Sequence, residues 1–104
     1  LQYEVIRLGN GPKPTSRDTV IAHYAGKLLN GFEFDNSYNR GQPLTIGIGQ
    51  VIKGWTEGLQ LMPVGSKFKF FIPHDLAYGL NDQGSIPGGS VLVFEVELLG
   101  IKGK

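Results

Sequence analysis

The sequence contains no cysteine, which excludes disulfides and cysteine-ligated zinc. It has only 2 histidines, His23 and His74, too few for a zinc centre unless carboxylates complete it. Neither sign of charge dominates. Ten basic residues stand against 9 acidic ones, and the lysines and arginines are scattered from Arg7 to Lys104 with no run or face. A nucleic-acid partner is therefore not expected. No apolar run approaches the ~20 residues of a membrane helix, so no membrane span is expected. Several chemistries lack their signatures too. No Gly-x-Ser-x-Gly elbow occurs. Gly47-x-Gly49 is followed by Ile52 where a dinucleotide fingerprint needs glycine, and no Gly-Lys-Ser or Gly-Lys-Thr closes a phosphate loop. No metal or cofactor is expected. Repeats, linkers and low-complexity segments are also missing.

What is present fits one domain spanning residues 1–104. A chain of this length buries roughly 65% of the surface its unfolded form exposes, enough for one core without staples. The chain begins at Leu1 and goes straight into an apolar-polar alternation. We therefore expect a trimmed domain with no signal peptide, which leaves the compartment unknown. Glycine is the compositional outlier: 16 residues, about twice the usual ~7% share. Dispersed among apolar runs, these glycines argue for many turns in a β-rich domain.

Leu1, Tyr3 and Val5 alternate with Gln2 and Glu4, the pattern of a half-buried strand. Residues 9–16 hold two glycines and two prolines and read as a loop. The next strand, 19–29, places Val20, Ala22, Tyr24 and Leu28 on one face and Ile21, His23, Ala25 and Lys27 on the other. Asn30-Gly31 predicts a tight hairpin in which both residues take positive φ. Residues 36–43 read as a polar loop and 44–48 as a short strand. Residues 54–62 form the only expected helix, with Trp55, Leu59 and Met62 on one stripe and Pro63 and Gly65 as its stop. Residues 67–72 alternate Phe68, Phe70 and Ile72 on one face. Residues 73–89 form a long loop of the kind that is usually functional or disordered. Residues 91–101 are the clearest strand, with Leu92, Phe94, Val96 and Leu98 facing one way. The sum is an α+β domain: an antiparallel sheet of about five strands wrapped around one short helix.

Five aromatic residues, Tyr24, Phe34, Trp55, Tyr78 and Phe94, come from five separate elements. Aromatics dominate the cores of small domains. Tyr and Trp also carry polar atoms that need partners when buried, so the same set, with Asp35, suits a concave apolar pocket. On composition alone the core reading is the favoured one, with the pocket as its alternative. Asp35 has an alternative role in capping its turn. Arg40 has one as a surface charge. His23 lies on the face opposite Tyr24 and reads as structural.

The chain resembles the FKBP family of peptidyl-prolyl cis-trans isomerases, which bind tacrolimus and rapamycin. The resemblance rests on Ala22-His23-Tyr24 with Gly26, on Gly31, on Phe34-Asp35, and on Val51-Ile52-Lys53-Gly54-Trp55 running into Glu57-Gly58. It continues through Leu76-Ala77-Tyr78-Gly79, Ile86-Pro87 and the run from Leu92 to Leu99. Residues 54–66 look most like bacterial members, including the macrophage-infectivity-potentiator type. The resemblance implies rotation about X-Pro peptide bonds, assistance to protein folding, and binding of proline-containing polypeptides and macrolides. It implies catalytic roles for Tyr24, Phe34, Asp35, Ile52, Trp55, Tyr78 and Phe94, and substrate contacts from Arg40, Leu44, Val51 and Ile86. Trp55 would form the pocket floor, Asp35 would be held by Tyr24 and Arg40, and the Tyr78 hydroxyl and Ile52 N–H would donate to substrate carbonyls. Three features depart from the family pattern: Leu44 where many members have phenylalanine, Gly88-Gly89 after Ile86-Pro87 where a second proline is common, and a short segment between Gly49 and Val51. A monomer is expected, because the dimerisation segment of bacterial relatives is missing. The alternative is a peptide-binding chaperone or scaffold of the same fold with little isomerase activity. A carbohydrate- or lipid-binding β domain does not explain the joint motifs.

Overall fold

In the computed structural model, described for residues 1–81 and 83–103, the strongest alternations of the sequence become the centre of one sheet. The strands are β1 (Gln2–Arg7), β2 (Thr19–Leu28), β3 (Glu33–Asn36), β4 (Leu44–Gly47), β5 (Lys67–Ile72) and β6 (Leu92–Ile101). All pairings are antiparallel, and the order is β1-β5-β6-β2-β3, with β4 also on β2. The sheet thus has six strands where about five were expected. The additional one is β3, whose Asp35 and Asn36 are turn-forming residues by type and are held in the ladder by pairing with Gly26 and Ala25.

β2 shares one of its edges between two partners. Its C-terminal half pairs with β3 as far as Ala25↔Asn36, and its N-terminal half pairs with β4 from Ala22↔Leu44. His23 and Tyr24 lie in the gap between them. On its other edge β2 runs beside β6 over nearly its whole length.

One face of the sheet buries Val20, Ala22, Tyr24, Phe68, Phe70, Ile72, Leu92, Phe94, Val96 and Leu98. These are the faces the period-two pattern selects. The helix that covers them, α2 (Lys53–Leu59), is shorter than the expected 54–62, and Met62 follows it in a turn closed by Met62 N–H to Leu59 C=O. Trp55, Leu59 and Met62 are all buried, as the stripe predicted. Seven residues are too few for a stable isolated helix, and its N-cap, Ile52, supplies no side-chain bond. A tertiary tie replaces the cap. Beyond the helix's own first-turn bonds to the Ile52 carbonyl, Thr56 Oγ1 donates to the Ile48 carbonyl at 2.7 Å in the preceding 3₁₀ turn, Ile48–Gln50.

Two glycines inside α2 look like defects, since each lowers helix propensity by about 1 kcal/mol. Packing explains them. A Cβ on Gly58 would lie 2.7 Å from the Phe70 ring, and one on Gly54 would lie 2.5 Å from Ile72 Cγ2. Both side chains are buried in β5, so the helix reaches the sheet only because these positions are bare.

Three local expectations are corrected. The 28–32 hairpin is not a two-residue turn: Gly31 alone has positive φ, at 91°, and Leu29, Asn30 and Gly31 form a three-residue loop with Gly31 N–H bonded to Leu28 C=O. Asn30 instead turns its Oδ1 to accept from Phe32 N–H. The segment read as a polar loop contains a single helical turn, α1 (Ser37–Arg40), started by Asn36 Oδ1 accepting from Asn39 N–H and ended by Gly41 at φ 74°. β1 is a strand, but it is exposed along its whole length rather than half-buried. It forms the sheet edge, where Tyr3 stacks on Phe68 at 5.5 Å and meets Phe70 at 6.2 Å but stays about half exposed. The 73–89 segment, apart from Asp82 outside the described residues, is irregular, with a 3₁₀ turn at His74–Leu76 and a bridge between Gln83 and Ile86.

Gly58→Ala tests the bare-contact account. Better helix propensity adds about 1 kcal/mol, and overpacking against Phe70 removes about 1–3 kcal/mol. Denaturant unfolding should show a net loss of stability; a gain would refute the account.

Candidate functional site

A cavity of about 320 Å³ opens where α2, β2, β3, β6 and the 73–89 segment meet. Tyr24, Phe34, Asp35, Leu44, Val51, Ile52, Trp55, Tyr78 and Phe94, all named from sequence, line it together with Gln50. Two expected contacts lie outside the lining. Arg40 bonds to the lining residues Tyr24 and Asp35. Ile86 is buried in the core cluster and bonded through its backbone to Gln83. Gln50 was missed because an exposed polar residue beside Val51 carries no signal of its own.

The apolar wall is a chain of edge-to-face rings. Trp55 meets Tyr24 at 5.1 Å and 86°, and Phe94 at 5.4 Å and 87°; Phe94 meets Phe34 at 5.5 Å and 89°. Such pairs contribute about 0.5–1.5 kcal/mol each beyond their burial. Trp55 is at once core residue and cavity floor, 5% exposed, with its indole N–H buried and unpartnered among the described residues. Both sequence readings therefore hold for Tyr24, Trp55 and Phe94; Phe34 and Tyr78 line the cavity without being buried in the core. Gly26 is what lets the last two rings meet. A Cβ there would lie 2.7 Å from Phe94 and 2.8 Å from Phe34.

The polar side is a closed triangle. The Tyr24 hydroxyl donates to Asp35 Oδ2, Arg40 donates to Asp35 Oδ1, and Arg40 Nη2 donates to the Tyr24 oxygen at 2.9 Å. The guanidinium also lies 5.5 Å from the Tyr24 ring centre. Asp35 is not the turn's cap; that role falls to Asn36. Arg40 is not a free surface charge, although half its side chain is exposed. Burial pushes the Asp35 carboxyl up, but the bonds from Tyr24 and Arg40 outweigh it and hold the group below the usual carboxylate range. Burial, then the bond to Asp35, raises the Tyr24 phenol. The triangle thus pairs a neutral phenol donor with an ionised carboxylate. His23 faces away, as expected, with Nδ1 2.8 Å from Ser37 Oγ and its ring stacked on Tyr38 at 4.4 Å. Tyr38 in turn donates to Glu97 and is pushed up to about 12, first by burial and then by that bond.

Among the described residues no three His, Asp or Glu side chains gather as metal ligands. No helix there is long and apolar enough to cross a membrane. The site is a small apolar cleft, aromatic on its floor and walls, with a fixed hydroxyl and carboxylate at one side. Such a cleft can bind, desolvate and orient a small apolar group.

This combination of fold and cleft has known counterparts. Residues 11–99 match the pattern of the FKBP-type peptidyl-prolyl cis-trans isomerase family. The chain is 59% identical over 102 residues to an FKBP-type peptidyl-prolyl cis-trans isomerase, FkpA, of Aeromonas hydrophila, covering 98% of this chain and 38% of that protein. It is 46% identical to the outer membrane protein MIP of Legionella longbeachae, covering 98% of this chain and 44% of that one. The crystal structure of FkpA from Escherichia coli superposes with a TM-score of 0.93 at 50% identity, over 96% of this chain and 47% of that chain. The chain belongs to the FKBP-type peptidyl-prolyl cis-trans isomerase family. It spans less than half the length of these relatives.

The charge states define a pH window. Asp35, with its pKa lowered in the fold, stabilises the triangle above its unfolded value of 3.8 and loses this as pH falls through the lower folded value. Tyr24, with its pKa raised, contributes below 10.0 and loses this as pH rises through its folded value. Ligand binding followed by Trp55 fluorescence should be flat from about pH 5 to about pH 9. A step inside that range would show that another group controls the site.

Proposed function

We propose that this chain catalyses cis-trans isomerisation of X-Pro bonds in polypeptides, with the aromatic cleft holding the prolyl ring. The observation that carries this reading is the joining of the edge-to-face floor, Tyr24–Trp55–Phe94–Phe34, to the Tyr24–Asp35–Arg40 triangle in one cleft.

The barrier to rotation about a peptide bond is ~18–20 kcal/mol and arises from amide resonance. A planar amide is strongly dipolar; a twisted one is less so, and its nitrogen is more basic. An apolar cleft that strips water from the amide therefore disfavours the planar form relative to the twisted one. Trp55 and Phe94 supply that surface. Ile52, the N-cap of α2, lines the cavity and is held through its carbonyl; its N–H is the donor for one substrate carbonyl in this reading. Tyr78, partly exposed at the mouth, offers its hydroxyl to another. Held at both ends, the substrate is kept in a turn whose central bond is the one that twists. Asp35, ionised and held by Tyr24 and Arg40, faces the region where the amide dipole changes. A millionfold acceleration needs about 8 kcal/mol from these effects together. No covalent intermediate is involved.

The same cleft has the aromatic floor and convergent polar groups to take rapamycin- or tacrolimus-type macrolides. Leu44 in the lining replaces an aromatic wall with a smaller aliphatic one, and this sets affinity rather than the reaction.

A protease-coupled isomerisation assay on short X-Pro peptides, with and without rapamycin, tests the proposal. Fast, rapamycin-sensitive turnover is expected. Rapamycin binding without turnover would instead favour a peptide-binding chaperone or scaffold. Asp35→Leu should keep the fold, because the residue is partly exposed, and lower kcat/KM at least about tenfold, or ~1.4 kcal/mol. Full activity would remove Asp35 from the mechanism.

A further inference from the structure

The gap on the edge of β2 exposes a problem that the sheet does not solve. Between Ala25↔Asn36 and Ala22↔Leu44, Tyr24 has no strand beside it on that edge. Its N–H and C=O would be buried without partners, which folded chains avoid. One side chain reaches both: its oxygen accepts from the N–H in either histidine tautomer, and its proton serves the carbonyl when His23 Nδ1 donates. Ser37 Oγ accepts from Tyr24 N–H at 2.7 Å and lies 3.2 Å from the Tyr24 carbonyl oxygen, and it is also 2.8 Å from His23 Nδ1. Ser37 is fully buried. His23 is clamped from outside by the Tyr38 ring, one residue along α1.

Sequence position makes this more than gap filling. Ser37 follows Asp35 by two residues and precedes Arg40 by three. The hydroxyl therefore pins the turn that carries both partners of the Tyr24 phenol onto the backbone of Tyr24 itself. The main chain of Tyr24 is tied at one end and its hydroxyl at the other, with the Asp35–Arg40 turn closing the ring.

We propose that Ser37 is a positioning residue for prolyl isomerisation, setting the Tyr24–Asp35–Arg40 triangle by bonding the Tyr24 backbone and seated by His23. The inference rests on the isomerase reading above. The hydroxyl has one proton and three neighbours, and the arrangement tolerates either histidine tautomer. If His23 Nδ1 accepts, Ser37 O–H points to it. If Nδ1 donates, Ser37 O–H turns to the Tyr24 carbonyl. The Tyr24 N–H bond persists in both, so the position of Tyr24 does not depend on the histidine proton.

The test is a double-mutant cycle of Ser37→Ala and Tyr24→Phe on folded proteins, verified by circular dichroism and cooperative unfolding. Ser37→Ala alone should lower kcat/KM about fivefold to tenfold through misplacement of the triangle. In the Tyr24→Phe background the same change should cost less than about twofold, because the hydroxyl it positions is gone. A merely structural serine would give equal losses in both backgrounds. Carbon-detected NMR titration of the Asp35 carboxyl supplies a readout independent of turnover: Ser37→Ala should move it up toward the ordinary value. An additive cycle, an unimpaired Ser37→Ala protein or an unmoved carboxyl each overturns the proposal. If the wild-type chain shows no isomerase activity, the isomerase reading falls, and the carboxyl titration alone decides whether Ser37 positions the triangle. Should Ser37→Ala fail to fold, Ser37→Cys, which keeps the volume with a poor hydrogen-bonding group, is read the same way.

Discussion

The floor of the cleft depends on the contact between a seven-residue helix and β5. The helix has no stability of its own, yet it delivers Trp55, and its N-cap delivers Ile52. It stays because Gly54 and Gly58 let its backbone approach Ile72 and Phe70 more closely than any side chain would allow. Loosen that contact and the floor of the cleft moves with it. The two least helical residues in the helix are therefore the ones that keep it in place, a case of tertiary packing overriding local propensity.

The cleft is built from core material. Tyr24, Trp55 and Phe94 are nearly as buried as Leu92 or Val96, and their rings pack edge to face as core aromatics do. The core is left open on one side, where Phe34 and Tyr78 stand less buried. A site made this way is rigid without dedicated supports, which suits chemistry that works by desolvation and orientation. Its one polar cluster needs bracing, because Asp35 and Arg40 sit at the less buried margin. That bracing comes from the backbone side of Tyr24 rather than from the cleft.

The legible parts of the fold were those where one physical rule acts alone. β2, β5 and β6 bury one face each, so alternation identified their inward residues. The Trp55–Leu59–Met62 stripe identified the helix for the same reason. The rule failed at the margins. β1 alternates but sits at the sheet edge, where its side chains stay exposed. β3 and α1 are short segments of turn-forming residues, given their structure by a ladder and a cap rather than by periodicity. The site was legible mainly by resemblance: composition alone did not separate a pocket from a core, since here they are the same residues. Gln50 and Ser37 were not legible. One is a polar residue on the rim. The other matters through a gap in strand pairing, which only the register reveals.

The strand order carries a further consequence. β6 is the hub of the sheet, pairing with β5 on one side and β2 on the other, yet it follows every other strand along the chain. β1 and β5, and β2 and β6, are joined across most of the chain's length, so loop closure precedes the contacts that reward it. A nascent chain emerging amino end first holds β2 and β5 without the strand that bridges them. The pairings that join β2 to β5 and close the core therefore form only once β6 is available.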